Sequence, residues 1–132
     1  MDKFRFPWKQ VVKVWGLERW LRNDEYYCMK ELRVLKGFRC SVHHHKKKTE
    51  TFYIVSGKVW MEMETPAGAW EGFRVGPGDH VHIPVGTKHR FSGMEQSVMI
   101  ECSTQHFDED SYRDTESGRV PDDGKTEGFT TT

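Results

Sequence analysis

The sequence predicts a single all-β domain spanning residues 1–132, built as a sandwich or a barrel. Between residues 26 and 104, segments rich in β-branched and aromatic residues are short, and glycine, proline or aspartate separates most of them. Strands at such short intervals are typical of sandwiches and barrels. No segment in that region has the periodicity of a long amphipathic helix. A chain of 132 residues suffices for one hydrophobic core.

The candidate strands share an alternating or β-branched composition. In chain order they are YYCMKELRVL (26–35), FRCSVHH (38–44), ETFYIVSG (50–57), KVWMEME (58–64), WEGFRV (70–75), HVHIPVG (80–86), KHRFSG (88–93) and SVMIECS (97–103). Glycine or proline marks most of the turns between them, as in the GPGD segment at residues 76–79. We therefore expect a barrel core over about residues 26–104.

The two ends of the chain differ from this central region. Residues 1–25 mix aromatic and charged side chains without a clear period, so we expect an irregular lead-in with at most one short strand. From Thr104 onwards the sequence is polar and acidic. We expect a polar C-terminal tail that is flexible over about residues 118–132.

The composition argues against nucleic acid or a membrane as a partner. Lys and Arg together number 20, and so do Asp and Glu. No apolar run approaches the ~18 residues of a membrane span, and the N-terminus lacks the hydrophobic core of a signal peptide. The three cysteines are an odd number without CxxC spacing, which indicates reduced thiols. We expect a cytoplasmic protein.

A run of three histidines is the most informative local feature. On a strand, His43 and His45 point to the same side and His44 points to the other. Glu50 begins the next candidate strand, and His89 begins a later one. Imidazole and carboxylate groups that converge from neighbouring strands can bind one divalent cation. A purification tag is the alternative, but a tag would lie at a terminus.

These residues occur in two segments that resemble the cupin motifs. The first cupin motif is glycine, five residues, His-x-His, three or four residues, glutamate, six residues and glycine, and residues 37–57 match every position. The second is glycine, five residues, Pro-x-Gly, two residues, histidine, three residues and asparagine, and residues 78–93 match it except that Gly93 replaces the asparagine. The resemblance implies a double-stranded β-helix, also called the cupin jelly-roll barrel, with a metal inside it. By motif match, the implied metal ligands are His43, His45, Glu50 and His89.

The ligand set bears on the identity of the metal. Four protein ligands leave two positions open on a six-coordinate ion but none on tetrahedral zinc. We therefore expect one divalent cation of the Mn, Fe, Ni or Co type, with Zn as the structural alternative. A second metal at His80 and His82 is an alternative to the surface or structural role that we expect for them. We assign no role to His106.

Further segments resemble those of cupin-type sugar isomerases, namely type II mannose-6-phosphate isomerases and D-lyxose isomerases. They are VWGLERW (14–20), KELRVLKG (30–37) and IECSTQHFDEDSYR (100–113). The resemblance implies an aldose–ketose isomerase that acts on a monosaccharide or sugar phosphate through a metal-stabilised enediolate. In that pattern Glu101 matches the acid/base glutamate, and Lys48 matches a lysine that lies between the second histidine and the glutamate ligand. A cation at that position could hold or protonate a sugar oxygen.

Strand alternation leaves these two roles open. If Val98 and Ile100 line the barrel, Glu101 points outward and is a surface carboxylate. Lys48 is equally well explained as a solvated turn lysine. The further pocket candidates, chosen because they share strand parity with the ligands, are Arg39, Ser41, Phe52 and Ile54.

Two other functions stay open. The chain could be a metal-cupin dioxygenase, or a cupin that binds sugar or metal without turnover, and a proton-transfer pair beside the metal would favour the isomerase. Because related barrels commonly pair through sheet faces or edge strands, we also expect a homodimer in which the aromatic N-terminal segment takes part.

Overall fold

The computed structural model describes residues 3–121, and this part of the chain is almost entirely β-structure. It contains thirteen strands and one 3₁₀ helix at Asp108–Asp110. The strands are β1 (Lys9–Lys13), β2 (Gly16–Asn23), β3 (Cys28–Val34), β4 (Phe38–Arg39), β5 (His43–His44), β6 (Glu50–Ser56), β7 (Val59–Glu64), β8 (Trp70–Val75), β9 (His80–Ile83), β10 (His89–Gly93), β11 (Ser97–Ser103), β12 (Tyr112–Arg113) and β13 (Gly118–Arg119).

The strands form two antiparallel sheets. One sheet has six strands in the order β1-β2-β3-β11-β6-β9. The other has seven strands, ordered β12-β5-β10-β4-β13, with β7 paired to β10 and β8 paired to β7. Neighbouring strands are mostly distant in sequence, as the jelly-roll topology requires. The predicted all-β double-stranded β-helix is confirmed.

The hydrophobic core lies between the two sheets and fills one end of the barrel. Strand alternation puts Leu32 and Val34 of β3 and Ile54 of β6 inside, each at most 2% exposed. The opposite sheet contributes Met61 and Phe91 to the same cluster. Burying each such side chain contributes about 1.5–3 kcal/mol relative to leaving it exposed. Further along the two strands the inward positions include Lys30 of β3 and Glu50 of β6, so the barrel has an apolar end and a polar end.

A glycine allows the two sheets to approach each other. At Gly93, the position where the second cupin motif usually has asparagine, a Cβ atom would lie 2.5 Å from the carbonyl oxygen of Leu35. The backbone there also accepts a hydrogen bond of 2.8 Å from the N–H of Gly37. The departure from the motif is therefore a packing requirement at the end of β10.

The N-terminal lead-in is more regular than the sequence predicted. Residues 3–8 are irregular, but β1 and β2 extend the six-stranded sheet, and β2 pairs with β3 from Gly16 to Asn23. Trp15, between these strands, is 4% exposed and packs edge-on against Phe91 with ring centroids 5.0 Å apart. The strand period was hidden because the inward positions of β2 are polar or amphipathic.

The barrel also extends beyond the predicted limit at residue 104. Strand β12 pairs with β5, strand β13 pairs with β4, and Val120 is only 5% exposed. Residues 118–121 of the predicted flexible tail thus pack against the barrel, whereas residues 122–132 lie outside the described part of the chain. The three cysteines are free thiols, and no helix in the described chain is long and apolar enough to cross a membrane.

Candidate metal centre

Three histidines meet at the polar end of the barrel. The Cα atoms of His43 on β5 and His89 on β10 are paired across the sheet, and His45 follows β5. One ring nitrogen from each of the three lies within 4.8 Å of the others. His45 and His89 are 5% and 0% exposed, so the cluster is largely shielded from solvent.

The hydrogen bonds of these rings set their tautomers. The Nδ1 atoms of His43, His45 and His89 lie 2.8–2.9 Å from the backbone carbonyl oxygens of Ser41, Asp110 and Thr87, respectively. A carbonyl oxygen only accepts, so each Nδ1 carries the proton and each Nε2 presents a lone pair. Backbone carbonyls orient metal-binding histidines in this way.

Burial keeps one of these histidines neutral. Desolvation, assisted by the neighbouring His89, lowers the pKa of His43 to about 3. An uncharged imidazole is the form that binds metal ions.

A buried carboxylate faces the three rings. Glu50 is 3% exposed, and its Oε2 lies 3.2 Å from Nε2 of His45 and 3.3 Å from Nε2 of His89. Within residues 3–121, Glu50 Oε2 and His89 Nε2 are buried without a hydrogen-bond partner. The Nε2 lone pairs of His45 and His89 thus face the Glu50 carboxylate with no proton between them. A bound cation would satisfy the lone pairs and the carboxylate together. The three imidazole nitrogens and the Glu50 carboxylate fit a divalent metal ion. That these four residues are its ligands stays a prediction.

The two predicted catalytic residues form an ion pair beside this centre. Alternation along β11 puts Met99 and Glu101 inside, so Glu101 is 4% exposed and faces the cavity rather than solvent. Lys48 is 3% exposed, and its Nζ lies 2.9 Å from Glu101 Oε2 and 3.6 Å from Glu50 Oε1. Desolvation would lower the pKa of Lys48, but the attraction of Glu101 and Glu50 outweighs it and raises that pKa.

Asp110 explains why Lys48 is not a solvated turn residue. Its buried carboxylate accepts hydrogen bonds of 2.9–3.2 Å from the backbone N–H groups of Lys46, Lys47 and Lys48. The turn is therefore folded around a carboxylate, and the third lysine side chain points into the barrel. Lys46 and Lys47 themselves are exposed, and their ammonium groups lie over the rings of Tyr112 and Phe107.

Only two of the four predicted pocket residues line the cavity among the described residues. Ser41 and Phe52 line a cavity of about 330 Å³ between the sheets. Ile54 is fully buried in the apolar core, and Arg39 does not contribute to the cavity wall among the described residues. Strand β4 ends at Arg39, and Cys40 and Ser41 both face the cavity, so strict alternation does not extend to His43.

His106 also belongs to this site, although its polar surroundings in the sequence predicted only a tail. Its Nδ1 accepts a hydrogen bond of 3.1 Å from Lys48 Nζ, and its Nε2 lies 3.0 Å from Asp108 Oδ1. Asn23 binds both its backbone N–H and its carbonyl, which fixes the loop. Desolvation and the cations Lys30 and Lys48 lower the pKa of His106 to about 4. The only sequence signal was a histidine three residues past the end of β11.

The remaining histidines lie away from this centre. His80 and His82 are exposed on β9, in keeping with a surface role. His44 points away from the cluster and stacks on Tyr112, with ring centroids 5.2 Å apart. The cavity is also lined by Glu18, Trp20 and Lys30, which strand patterns did not single out.

Proteins of similar sequence include D-lyxose isomerases, the group that further segments of this chain resemble. The chain is 30% identical to a D-lyxose ketol-isomerase of Thermofilum sp. (strain ex4484_79), over 85% of this chain and 76% of that protein. It is 32% identical to a D-lyxose ketol-isomerase of Cohnella laeviribosi, over 75% of this chain and 68% of that protein. A shorter match, 34% identical over 56 residues, covers 42% of this chain and 15% of the quercetin 2,3-dioxygenase of Bacillus subtilis.

The fold has solved counterparts. The capsular polysaccharide assembling protein CapF of Staphylococcus aureus superposes with a TM-score of 0.72 at 24% identity, over 83% of this chain. This chain spans about a third of that protein, 35% of its length. The family model described as the cupin domain matches residues 31–101, which is more than half of the chain. Together with the barrel and its clustered histidines, this match shows that the chain belongs to the cupin family.

Proposed function

We propose that this protein is a metal-dependent aldose–ketose isomerase that acts on a monosaccharide. The observation that carries the proposal is the buried ion pair of Lys48 and Glu101, which lies beside the histidine cluster and faces the same cavity. A sugar isomerase needs a group that takes and returns a proton at carbon, and an oxygenase or a simple binding protein does not. The sequence similarity to D-lyxose ketol-isomerases supports the proposal.

The predicted ligands His43, His45, Glu50 and His89 would hold the divalent cation, of the Mn, Fe, Ni, Co or Zn type. When bound, the cation supplies Lewis-acid stabilisation of negative charge on the sugar oxygens. The nitrogen and carboxylate donors suit several of these metals.

Glu101 is the group that we assign to proton transfer at carbon. In the aldose-to-ketose direction it would remove the proton from C2 and return it to C1. One further proton moves from the C2 hydroxyl to the C1 oxygen, so the atoms balance. Lys48 donates to a sugar oxygen while it holds Glu101 in place, and His106 holds Lys48 from the other side. Burial of all three side chains excludes water that would compete for these hydrogen bonds.

The direct test is hydrogen exchange at the sugar. Metal-free protein reconstituted with Mn(II) or Co(II) is incubated in D₂O with D-lyxose, D-mannose or mannose 6-phosphate. We expect ketose formation, with deuterium at C2 of recovered aldose. Absence of both product and exchange across these sugars, with the metal bound, would overturn the proposal.

The dioxygenase is the second candidate, because a segment of 56 residues is 34% identical to a quercetin 2,3-dioxygenase. The same protein loaded with Fe(II) would then consume O₂ in the presence of a flavonol and leave sugars unchanged. Lys48 and Glu101 would have no required role in that reaction.

We also propose a cytoplasmic homodimer. Phe4, Phe6 and Trp8 of the lead-in are 79%, 63% and 46% exposed, and such a run of aromatic side chains suits an interface. Light scattering of the purified protein should give twice the 15.5 kDa mass of one chain. A monomer at micromolar concentration would contradict this.

A further inference from the structure

A buried ammonium group outside the Lys48–Glu101 pair lies against the same cavity. Lys30 on β3 is 2% exposed, and it lines the cavity together with the histidine cluster. The carboxylate that it faces, Glu18, approaches no closer than 3.6 Å, which is longer than a hydrogen bond. Its Nζ also lies 4.1 Å from the ring centroid of Trp20, and its charge acts on His106 and Asp108, which line the same cavity. A buried cation so weakly paired is costly unless a ligand completes its hydrogen bonds.

Glu18 is held in place for such a ligand. Its Oε1 accepts a hydrogen bond of 2.7 Å from the indole N–H of Trp20, two residues along the same face of β2. Lys30 approaches this same oxygen. Within residues 3–121, the contacts on this carboxylate converge on Oε1, and Oε2 remains as the acceptor for a ligand in the cavity.

The position of this pair relative to the proton-transfer group follows from the sheet register. Lys30 is the direct cross-strand neighbour of Glu101 on one side and of Trp20 on the other. Glu101 is already paired with Lys48, on the side of the histidine cluster. The Lys30–Glu18 pair is therefore displaced from the reacting end by one strand or more. A substrate whose reacting carbons lie at Glu101 would extend its other end towards Lys30.

We propose that Lys30 and Glu18 form a subsite for two neighbouring hydroxyl groups at the non-reacting end of the sugar. Lys30 donates to one hydroxyl oxygen, and Glu18 accepts from the other. The inference rests on the proposed function, because it takes Glu101 as the reacting end.

The charges of the pair favour hydroxyl groups over a phosphate. Because an ammonium and a carboxylate lie side by side, the pair carries no net charge. A phosphate drawn to Lys30 would lie next to the carboxylate of Glu18, and like charges repel strongly in a buried site. A hydroxyl both donates and accepts, so it satisfies either member without a charge penalty.

The test measures binding rather than turnover. Mn(II)-loaded protein is titrated calorimetrically with D-mannose and with its 3-, 4- and 6-deoxy analogues. Removal of either hydroxyl that the subsite reads should raise Kd roughly tenfold or more, as expected for a hydrogen bond to a charged group. In Lys30→Met, the analogue that lacks the hydroxyl bound by Lys30 should bind as tightly as D-mannose does. In Glu18→Gln, removal of the neighbouring hydroxyl should weaken binding less than it does in the wild type. The exposed residues Lys36 and Glu25 provide matched controls, as Lys36→Met and Glu25→Gln, that should bind like wild type.

The outcomes separate this subsite from the isomerase proposal. If the deoxy series shows the losses and the variants remove them, the subsite stands, even if D₂O exchange is absent and the isomerase proposal fails. If the wild type binds all deoxy analogues as tightly as D-mannose, or binds no D-mannose, the subsite is wrong whatever the exchange result. The wild-type series alone decides the matter if Lys30→Met does not fold. The subsite proposal would also be overturned if mannose 6-phosphate binds more tightly than D-mannose and Lys30→Met abolishes this difference. Lys30 would then bind an anion.

Discussion

Lys48 Nζ lies 2.9 Å from Glu101 Oε2 inside the barrel, and each residue is less than 5% exposed. Sequence alternation alone allowed Glu101 to be a surface carboxylate and Lys48 to be a turn lysine. A buried ion pair is costly to maintain for stability alone, because apolar residues of similar volume often do as well. Its position beside the histidine cluster therefore points to a chemical use.

Replacement of Glu101 by Gln tests whether Glu101 transfers the proton at carbon. The amide retains the shape of the side chain but cannot take a proton, so we expect kcat to fall by about 10²–10⁴-fold. Metal content, measured by elemental analysis, and sugar affinity should stay near the wild-type values. Glu62, a buried glutamate paired with Arg90 outside the cavity lining, provides the control Glu62→Gln, which should keep full turnover. Full turnover in Glu101→Gln would remove the base assignment.

His106 should act through Lys48 rather than on the substrate. In His106→Asn the amide oxygen can take the place of Nδ1 as acceptor, whereas His106→Phe removes the acceptor but retains a ring. We expect kcat to fall by about tenfold in the Phe variant and much less in the Asn variant, with KM for the sugar little changed. A larger loss in the Asn variant than in the Phe variant would mean that His106 serves packing against Trp20, because only Phe retains a ring for that contact.

The stability of the metal-free protein should depend on pH through His106. Because desolvation and the cations Lys30 and Lys48 lower its pKa to about 4, the folded state resists a proton that the unfolded chain binds near pH 6.5. Stability therefore falls as the pH drops from about 6.5 to about 4, by up to ~3 kcal/mol from this group. Asp108, which accepts from His106, also has a lowered pKa and adds its own loss below pH 4.

Urea unfolding of the wild type and of His106→Asn between pH 4 and 7 measures this contribution. The difference in the free energy of unfolding between the two proteins should shrink or reverse as the pH falls. A difference that is constant over this range would show that His106 is protonated alike in the folded and unfolded states.

The sequence was most informative where a ligand pattern and strand alternation agree. The match to the cupin motifs implied that His43, His45, Glu50 and His89 lie close together. Each lies at or beside a strand end that the barrel brings to one place. Turn signals likewise predicted most strands of the core.

The rest of the site depends on contacts that no local pattern encodes. The strand β2 was missed because Glu18 and Trp20 face a polar cavity and break the apolar period. His106 and Asp110 lie in a segment whose polar composition is typical of a tail, but they bind Lys48 and its turn from a distance of about 60 residues. Tertiary hydrogen bonds of this kind leave no periodic trace in the sequence.

Metal binding should be visible as stabilisation independent of activity. An ion that binds only the folded state adds about 2.7 kcal/mol at 100 times its Kd, so Mn(II) should raise the Tm of the wild type. His89→Ala should abolish this shift. His44→Ala is the matched control, because His44 points away from the cluster and should leave the shift intact. An unchanged shift in His89→Ala would place the ion elsewhere.

The replacement of the motif asparagine by Gly93 should be a stability requirement. A Cβ at this position would lie 2.5 Å from the carbonyl oxygen of Leu35 and 3.0 Å from a methyl group of Val34. The first neighbour is backbone and the second belongs to a fully buried side chain, so neither can move aside cheaply. We expect Gly93→Ala to destabilise the protein by about 1–3 kcal/mol in urea unfolding, as overpacking of a core does.

Gly118→Ala is the control for that substitution, because nothing lies within 4 Å of the Cβ that it would add. It should change the free energy of unfolding by less than about 0.5 kcal/mol. Equal stability of the two alanine variants would mean that the backbone of β10 shifts freely against Leu35. In that case His89, at the start of the same strand, would not be rigidly positioned. The Gly93→Ala variant would then lose metal affinity rather than stability.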